Sequence, residues 1–271
     1  MDEALRQNLQ SRKLILFSLI VAFGSVIGGV QGRCLTADEE ATIWLYESVA
    51  PSVVNITTSA CDPEFFFCST PTESGSGSGI VLKEEGIIVT NRHVVANAEF
   101  IQVTLSDGRK KRGDVVASSV RDDMAIVRID PGDSPLKPIT LGNSEQLQVG
   151  EKVLAIGNPF GIGQTLSAGV VSMTGRSIRS GGLVLKDLIQ TSAAINPGNS
   201  GGALVNSKGE LIGMNTAILS PTGTNVGIGF AIPVNRIKSV TPGLMNRWGT
   251  WLGWLLAGLI AYWCVRRILQ T

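Results

Sequence analysis

A chain of 271 residues with 44% hydrophobic content can build one large β domain or two small domains with real cores. Its 23 Lys plus Arg against 22 Asp plus Glu leave a net charge of +1, without the basic excess of a nucleic-acid binder. A single histidine, His93, excludes a zinc site built on several histidines, and 32 glycines with only 6% aromatic residues suit short strands joined by tight turns.

The chain opens with Arg12-Lys13 and the almost wholly apolar run Leu14–Val30, the pattern of an export signal. Residues 1–35 are therefore read as a cytoplasmic tail plus a signal peptide or signal anchor. Cleavage near Val30 and Gly32 is one outcome. Retention is the preferred one, although the run is at the lower limit for spanning a bilayer. A mixed, helical stretch from Thr36 to Ala50 follows. Cys61 and Cys68 bracket a polar-aromatic loop within 59–74, read either as an exported disulfide or as two unpaired thiols.

Short apolar runs with turn signals between them then recur. In the first half they are Pro51–Thr58, Gly79–Leu82, Ile87–Thr90, Phe100–Leu105, Asp114–Ser118 and Met124–Ile129. Residues 131–138 carry three prolines and cannot lie inside a central strand, so they read as a linker. In the second half the runs are Lys152–Ile156, Gln164–Thr174, Leu188–Thr191, Ala203–Val205, Leu211–Ala217 and Val226–Ala231. No helical period of useful length stands out in either half. The expected architecture is all-β, with two barrels at about 45–132 and 137–240 inside a domain of residues 36–242.

The C-terminal run Trp248–Val265 is followed by Arg266-Arg267. Trp248, Trp251, Tyr262 and Trp263 lie near its ends, and Gly249, Gly253, Ala257 and Ala261 repeat every four residues. Residues 247–267 thus read as a transmembrane helix, with a buried or interfacial helix as the other reading. If both runs span, the domain between them lies at the cell membrane on its periplasmic or extracellular side.

Three polar residues stand out against this frame. Ser200 lies in Asn196-Pro197-Gly198-Asn199-Ser200-Gly201-Gly202, where glycines leave room for a sharp turn and an incoming carbonyl. The N–H groups of Gly198 and Ser200, with Asn199 between them, form the candidate oxyanion hole. His93 is the only histidine base available and follows a strand. Asp123 opens a strand and is the preferred carboxylate to orient it, with Asp122 as the competing choice. A hydroxyl, a base and an orienting carboxylate are the needs of serine-mediated acyl transfer.

Together, Ser76-Gly77-Ser78-Gly79-Ile80, Thr90-Asn91-Arg92-His93-Val94-Val95, Asp123-Met124-Ala125-Ile126-Val127, Ala193 to Gly202 and Ile228-Gly229-Phe230-Ala231-Ile232-Pro233 resemble the HtrA (Deg) family of chymotrypsin-fold serine proteases. The resemblance covers about residues 45–240. It implies two chymotrypsin-like six-stranded barrels with the site in the cleft between them, here flanked by an N-terminal and a C-terminal hydrophobic helix. It also implies polypeptide substrates, no cofactor and a homotrimer. Two departures are visible. No peptide-sensing PDZ domain is expected after Pro242, and Ser192 stands where the family commonly has Asp.

In such folds the residue six before the nucleophile floors the S1 pocket. Here that is Ala194, with Ile195 beside it, so small or medium aliphatic P1 residues are expected. Asn199 cannot ion-pair with a freed N-terminus. Rearrangement of the Gly-rich loops at 157–164 and 176–187 is therefore the expected switch rather than propeptide removal. A proteolytically inactive, chaperone-like binder of unfolded chains is the alternative.

Overall fold

The computed structural model describes residues 34–60, 72–159, 163–180, 183–218 and 227–245. The hydrophobic runs Leu14–Val30 and Trp248–Val265 and the Cys61/Cys68 pair lie outside these residues. Among the described residues, no helix is long and apolar enough to cross a membrane.

Two units are distinguished, residues 1–40 and 41–271. In the first, the described residues 34–40 contain a reciprocal cap. Glu39 N–H donates to Thr36 Oγ1 (3.3 Å), and the Glu39 carboxylate accepts from Thr36 N–H (2.7 Å). This Thr-x-x-Glu arrangement satisfies backbone donors at the start of helix α1 (Ala37–Val49). The Thr36 donors hold the Glu39 carboxyl below its ordinary pKa.

Among the described residues, the second unit is built on twelve strands. β1 (Val53–Ala60), β2 (Thr72–Lys83), β3 (Ile87–Asn91), β4 (Phe100–Thr104), β5 (Lys110–Ser119) and β6 (Met124–Ile129) close one barrel in the order β1-β2-β3-β6-β5-β4. β7 (Lys152–Gly157), β8 (Thr165–Ser180), β9 (Leu183–Thr191), β10 (Ala203–Asn206), β11 (Leu211–Ile218) and β12 (Gly229–Pro233) close the other in the order β10-β11-β12-β9-β8-β7. Every pairing within the barrels is antiparallel.

Several strands are apolar at successive positions because both of their faces are covered. Along β6, Ala125, Val127 and Ile129 point into the first barrel, whereas Met124 and Ile126 join an apolar cluster shared by the two barrels. β7 repeats this, with Val153 and Ala155 inside the second barrel and Leu154 and Ile156 in the shared cluster. Strand side chains alternate faces, so one apolar run serves a barrel interior and the seam at once. Each fully buried Ile or Leu contributes about 1.5–3 kcal/mol, and the shared cluster fixes one barrel against the other.

Three sequence expectations change. Residues 176–180 and 183–187 are not a Gly-rich loop. They are the ends of β8 and β9, paired from Arg176↔Leu188 to Ser180↔Leu183. β2 already begins at Thr72, inside the expected loop. Residues 234–245 form a helix, α3, where none was foreseen. Pro242 and Gly243 read as terminators, but Val234, Ile237 and Leu244 bury a stripe against the shared cluster, and that packing outweighs local propensity. The Pro-rich stretch 131–138 is irregular as expected, and it is ordered by Leu136 N–H donating to Glu84 O.

Candidate active site

β3 ends at Asn91 and the chain turns into a one-turn helix, α2 (Arg92–Val95), which presents His93. Asp123 grips this turn from several directions. Its main-chain carbonyl accepts from Arg92 N–H (3.1 Å) and Asn91 Nδ2 (3.2 Å). Its carboxylate accepts from His93 N–H at 3.0 Å and lies 2.7 Å from His93 Nδ1. A carboxylate at Nδ1 places the ring proton there and leaves Nε2 as the base. The carboxylate side chain is 6% exposed and the imidazole 49% exposed, so the buried group anchors and the open one faces the cleft. Asp123 adopts φ +48°, a left-handed conformation that aspartate tolerates better than most residues. Asp122 points elsewhere, to Ser119 Oγ and to Arg236.

A residue not foreseen completes the setting of Asp123. Thr216, in β11, donates its hydroxyl to Asp123 Oδ2 (3.0 Å), and its carbonyl accepts from Ser200 Oγ (3.3 Å). No hydrogen bond joins Ser200 Oγ to His93 here, although both line one cleft of about 470 Å³ together with Ser76, Val94, Pro197 and Gly198. Catalytic hydrogen bonds of this kind commonly tighten only around a bound substrate.

The Ser200 loop is fixed on all sides. Gly201 N–H donates to Asn215 O and Asn215 N–H to Gly202 O, which pins the loop to β11. Gly201 has φ +83°, and a Cβ there would stand 2.1 Å from Ser78 O, so both backbone conformation and space require glycine. Among the described residues, the N–H groups of Gly198 and Ser200 have no acceptor. Asn199 is not a third donor: its N–H closes a turn onto Asn196 O (3.0 Å), and its side-chain oxygen accepts from Thr165 Oγ1 (3.0 Å).

Ser78, in β2 of the opposite barrel, holds this loop through its N–H and its hydroxyl. Its N–H donates to Ser200 O (2.8 Å), and its hydroxyl donates to Gly198 O (2.6 Å) while accepting from Asn158 N–H (2.8 Å). Its carbonyl accepts from Thr90 Oγ1 (2.6 Å). Asn55 extends the network by donating its amide to Asn158 O (2.9 Å).

The two expected pocket residues part company. Ala194 is half-buried, its N–H donating to Ser167 Oγ (2.7 Å). Ile195 is 1% exposed in the core of the second barrel and packs over Gly229, so it is a core residue rather than a pocket wall. Ser192 exchanges hydrogen bonds with Val170, its N–H donating to Val170 O and its hydroxyl accepting from Val170 N–H. Ser192 thereby ties the loop to β8.

Residues 77–214 match the trypsin-like peptidase domain. The chain belongs to this family. It is 46% identical to the chloroplastic Protease Do-like 1 of Arabidopsis thaliana over 78% of its own length and 49% of that protein. It is 53% identical to the periplasmic serine endoprotease DegP of Salmonella typhimurium over 63% of its length and 36% of that protein. The chain thus spans half or less of the length of these curated relatives. Among solved structures it is similar to the HtrA-type protease AlgW with a tripeptide, at a TM-score of 0.66 and 43% identity, covering 75% of this chain and 63% of that one. The HtrA/Deg resemblance seen in its motifs is thereby shown.

Proposed function

We propose that this trypsin-like peptidase domain is an active serine endopeptidase, with Ser200 as nucleophile, His93 as general base and Asp123 as the orienting carboxylate. The observation that carries the reading is the Asp123–His93 pair at 2.7 Å in the cleft that Ser200 also lines. Ser200 Oγ bonds to the peptide carbonyl carbon as His93 Nε2 takes its proton. The C–N bond then breaks, and the same proton leaves with the amine. Water, deprotonated by His93, next attacks the acyl ester and regenerates Ser200. The N–H groups of Gly198 and Ser200 receive the oxyanion.

The reading extends to unfolded or damaged exported polypeptides, or a membrane-associated substrate, cleaved after small aliphatic P1 residues, since Ala194 offers no charge. It places the domain outside the cytoplasm at the cell membrane, tethered through residues 14–30 and 248–265, with a homotrimer as the assembly. Replacing Ser200 by Ala is expected to lower kcat on unfolded casein by about 10⁶-fold, and wild-type turnover by that variant would refute the assignment. Labelling of Ser200 by a fluorophosphonate separates this reading from an inactive binder. A Lys/Arg majority among mapped cleavage sites would refute the P1 preference.

A further inference from the structure

Arg236, in α3, joins three elements that are distant in sequence. Its Nη1 donates to Asp122 Oδ1 at 3.0 Å, and its Nη2 to Asp187 Oδ2 at 3.2 Å. Asp122 belongs to the turn between β5 and β6, and Asp187 to β9. The Asp122 side chain is 13% exposed, and its second oxygen accepts from Ser119 Oγ at 2.7 Å. The Asp187 arm is 70% exposed, so screening by solvent makes it the weaker of the two.

The turn held in this way ends at Asp123. Of the three described non-glycine residues with positive φ, one is Asp123 (+48°) and another is Asp187 (+57°). Such conformations persist where the surroundings over-determine them. Arg236 binds Asp187 directly and the neighbour of Asp123 directly. A guanidinium presents its donors in a rigid planar fork, so it fixes the direction of a carboxylate as well as its distance.

We propose that Arg236 is a positioning residue for the reaction. It locks the turn before β6 so that the Asp123 carboxylate stays on His93 Nδ1, and it makes that contact depend on where β9 and α3 lie. The effect on turnover rests on the peptidase reading above, whereas the effect on the Asp123–His93 contact does not.

The two are read separately in the full chain. His93 is the only histidine, so ¹⁵N-histidine labelling yields one set of imidazole signals with no assignment problem. The wild-type protein is expected to show a low-field Nδ1 proton. In Arg236→Gln that signal broadens or is lost, while kcat falls about tenfold with KM unchanged, the pattern of a misplaced catalytic group rather than lost binding. Arg236→Lys restores part of kcat, since it returns a cation without the fork. Asp122→Asn reproduces the Arg236→Gln effect on the ring signal, and the double variant is no worse than Arg236→Gln alone, because both remove the Arg236–Asp122 contact. Asp122→Asn carries the test alone if Arg236→Gln fails to fold. An unchanged ring signal with unchanged kcat in the folded variants overturns the proposal, even where the melting temperature drops. A wild-type chain without peptidase activity would refute the reading of function, and the ring signal would still decide the role of Arg236.

Discussion

Ser78→Ala isolates the contribution of the opposite barrel to the nucleophile loop. The hydroxyl is fully buried and bridges Gly198 O at 2.6 Å and Asn158 N–H at 2.8 Å. Its removal leaves two main-chain groups without partners in a site closed to solvent. Orphaning a buried polar group costs about 1–3 kcal/mol, so the expected loss for the two is about 2–6 kcal/mol. For a domain of this size that corresponds to a fall in melting temperature of about 4–24 °C. The Gly198–Asn199 peptide also loses the contact on its carbonyl, which adjoins across a single Cα the Gly198 N–H, one of the two candidate oxyanion donors. Loss of one such donor lowers kcat by about 10²–10³-fold. Thermal denaturation followed by circular dichroism, with kcat measured on a chromogenic peptide well below the new midpoint, reads both effects. A Ser78→Ala protein that melts within about 2 °C of wild type and keeps kcat within about threefold would refute the reasoning.

Asp123→Asn keeps the shape of the carboxylate but favours the wrong imidazole tautomer, and kcat is expected to fall about 10⁴-fold; retention of more than about a tenth of wild-type turnover would contradict the orienting role. Asp107, in the β4–β5 turn, accepts from Arg109 N–H at 3.0 Å and from Arg109 Nε at 2.7 Å. The main-chain bond from Arg109 is the first cause of its lowered pKa, and the side-chain bond adds to it. A carboxyl lowered by folding contributes stability that is present above its unfolded value, ordinarily 3.8, and lost as pH falls through the lower folded value. Asp107→Asn is therefore expected to melt slightly below wild type at neutral pH, with the gap closing in strong acid; a gap that widens in acid would refute the sign.

Much of the architecture was legible locally. All twelve strands lie at or near apolar runs with turn signals between them, because a strand covered on one or both faces leaves its mark in a few successive residues. The strand lengths were less legible. β8 reaches Ser180 through the largely polar Gly175-Arg176-Ser177-Ile178-Arg179-Ser180, since main-chain pairing in a long hairpin does not need apolar side chains throughout. α3 was missed because Pro242 and Gly243 outweigh its apolar stripe locally, while the cluster that receives the stripe is assembled from strands of both barrels.

The site divides in the same way. Ser200, His93 and Asp123 could be singled out from residue type and neighbourhood, since a glycine-flanked serine and a lone histidine at a strand end are local facts. The motif Ser76-Gly77-Ser78-Gly79 was recognised without its physical reason. A Cβ on Gly77 would fall 2.6 Å from Val94 Cγ1 and 3.2 Å from Ser200 O, and Ser78 ties the first barrel to the loop of the second. Thr216 lies 93 positions from Asp123, and Arg236 lies 114 from Asp122. Nothing in the neighbourhood of either residue marks it as a partner. The order of the strands and the chemical character of the nucleophile, base and carboxylate follow from short stretches of chain, because turn, strand and side-chain reactivity are set within a few residues. Which donors surround Asp123 and which residues of the first barrel hold the Ser200 loop were decided only when the two barrels closed and met along a shared apolar seam, because those contacts join segments that only the packing of barrels and helix brings together.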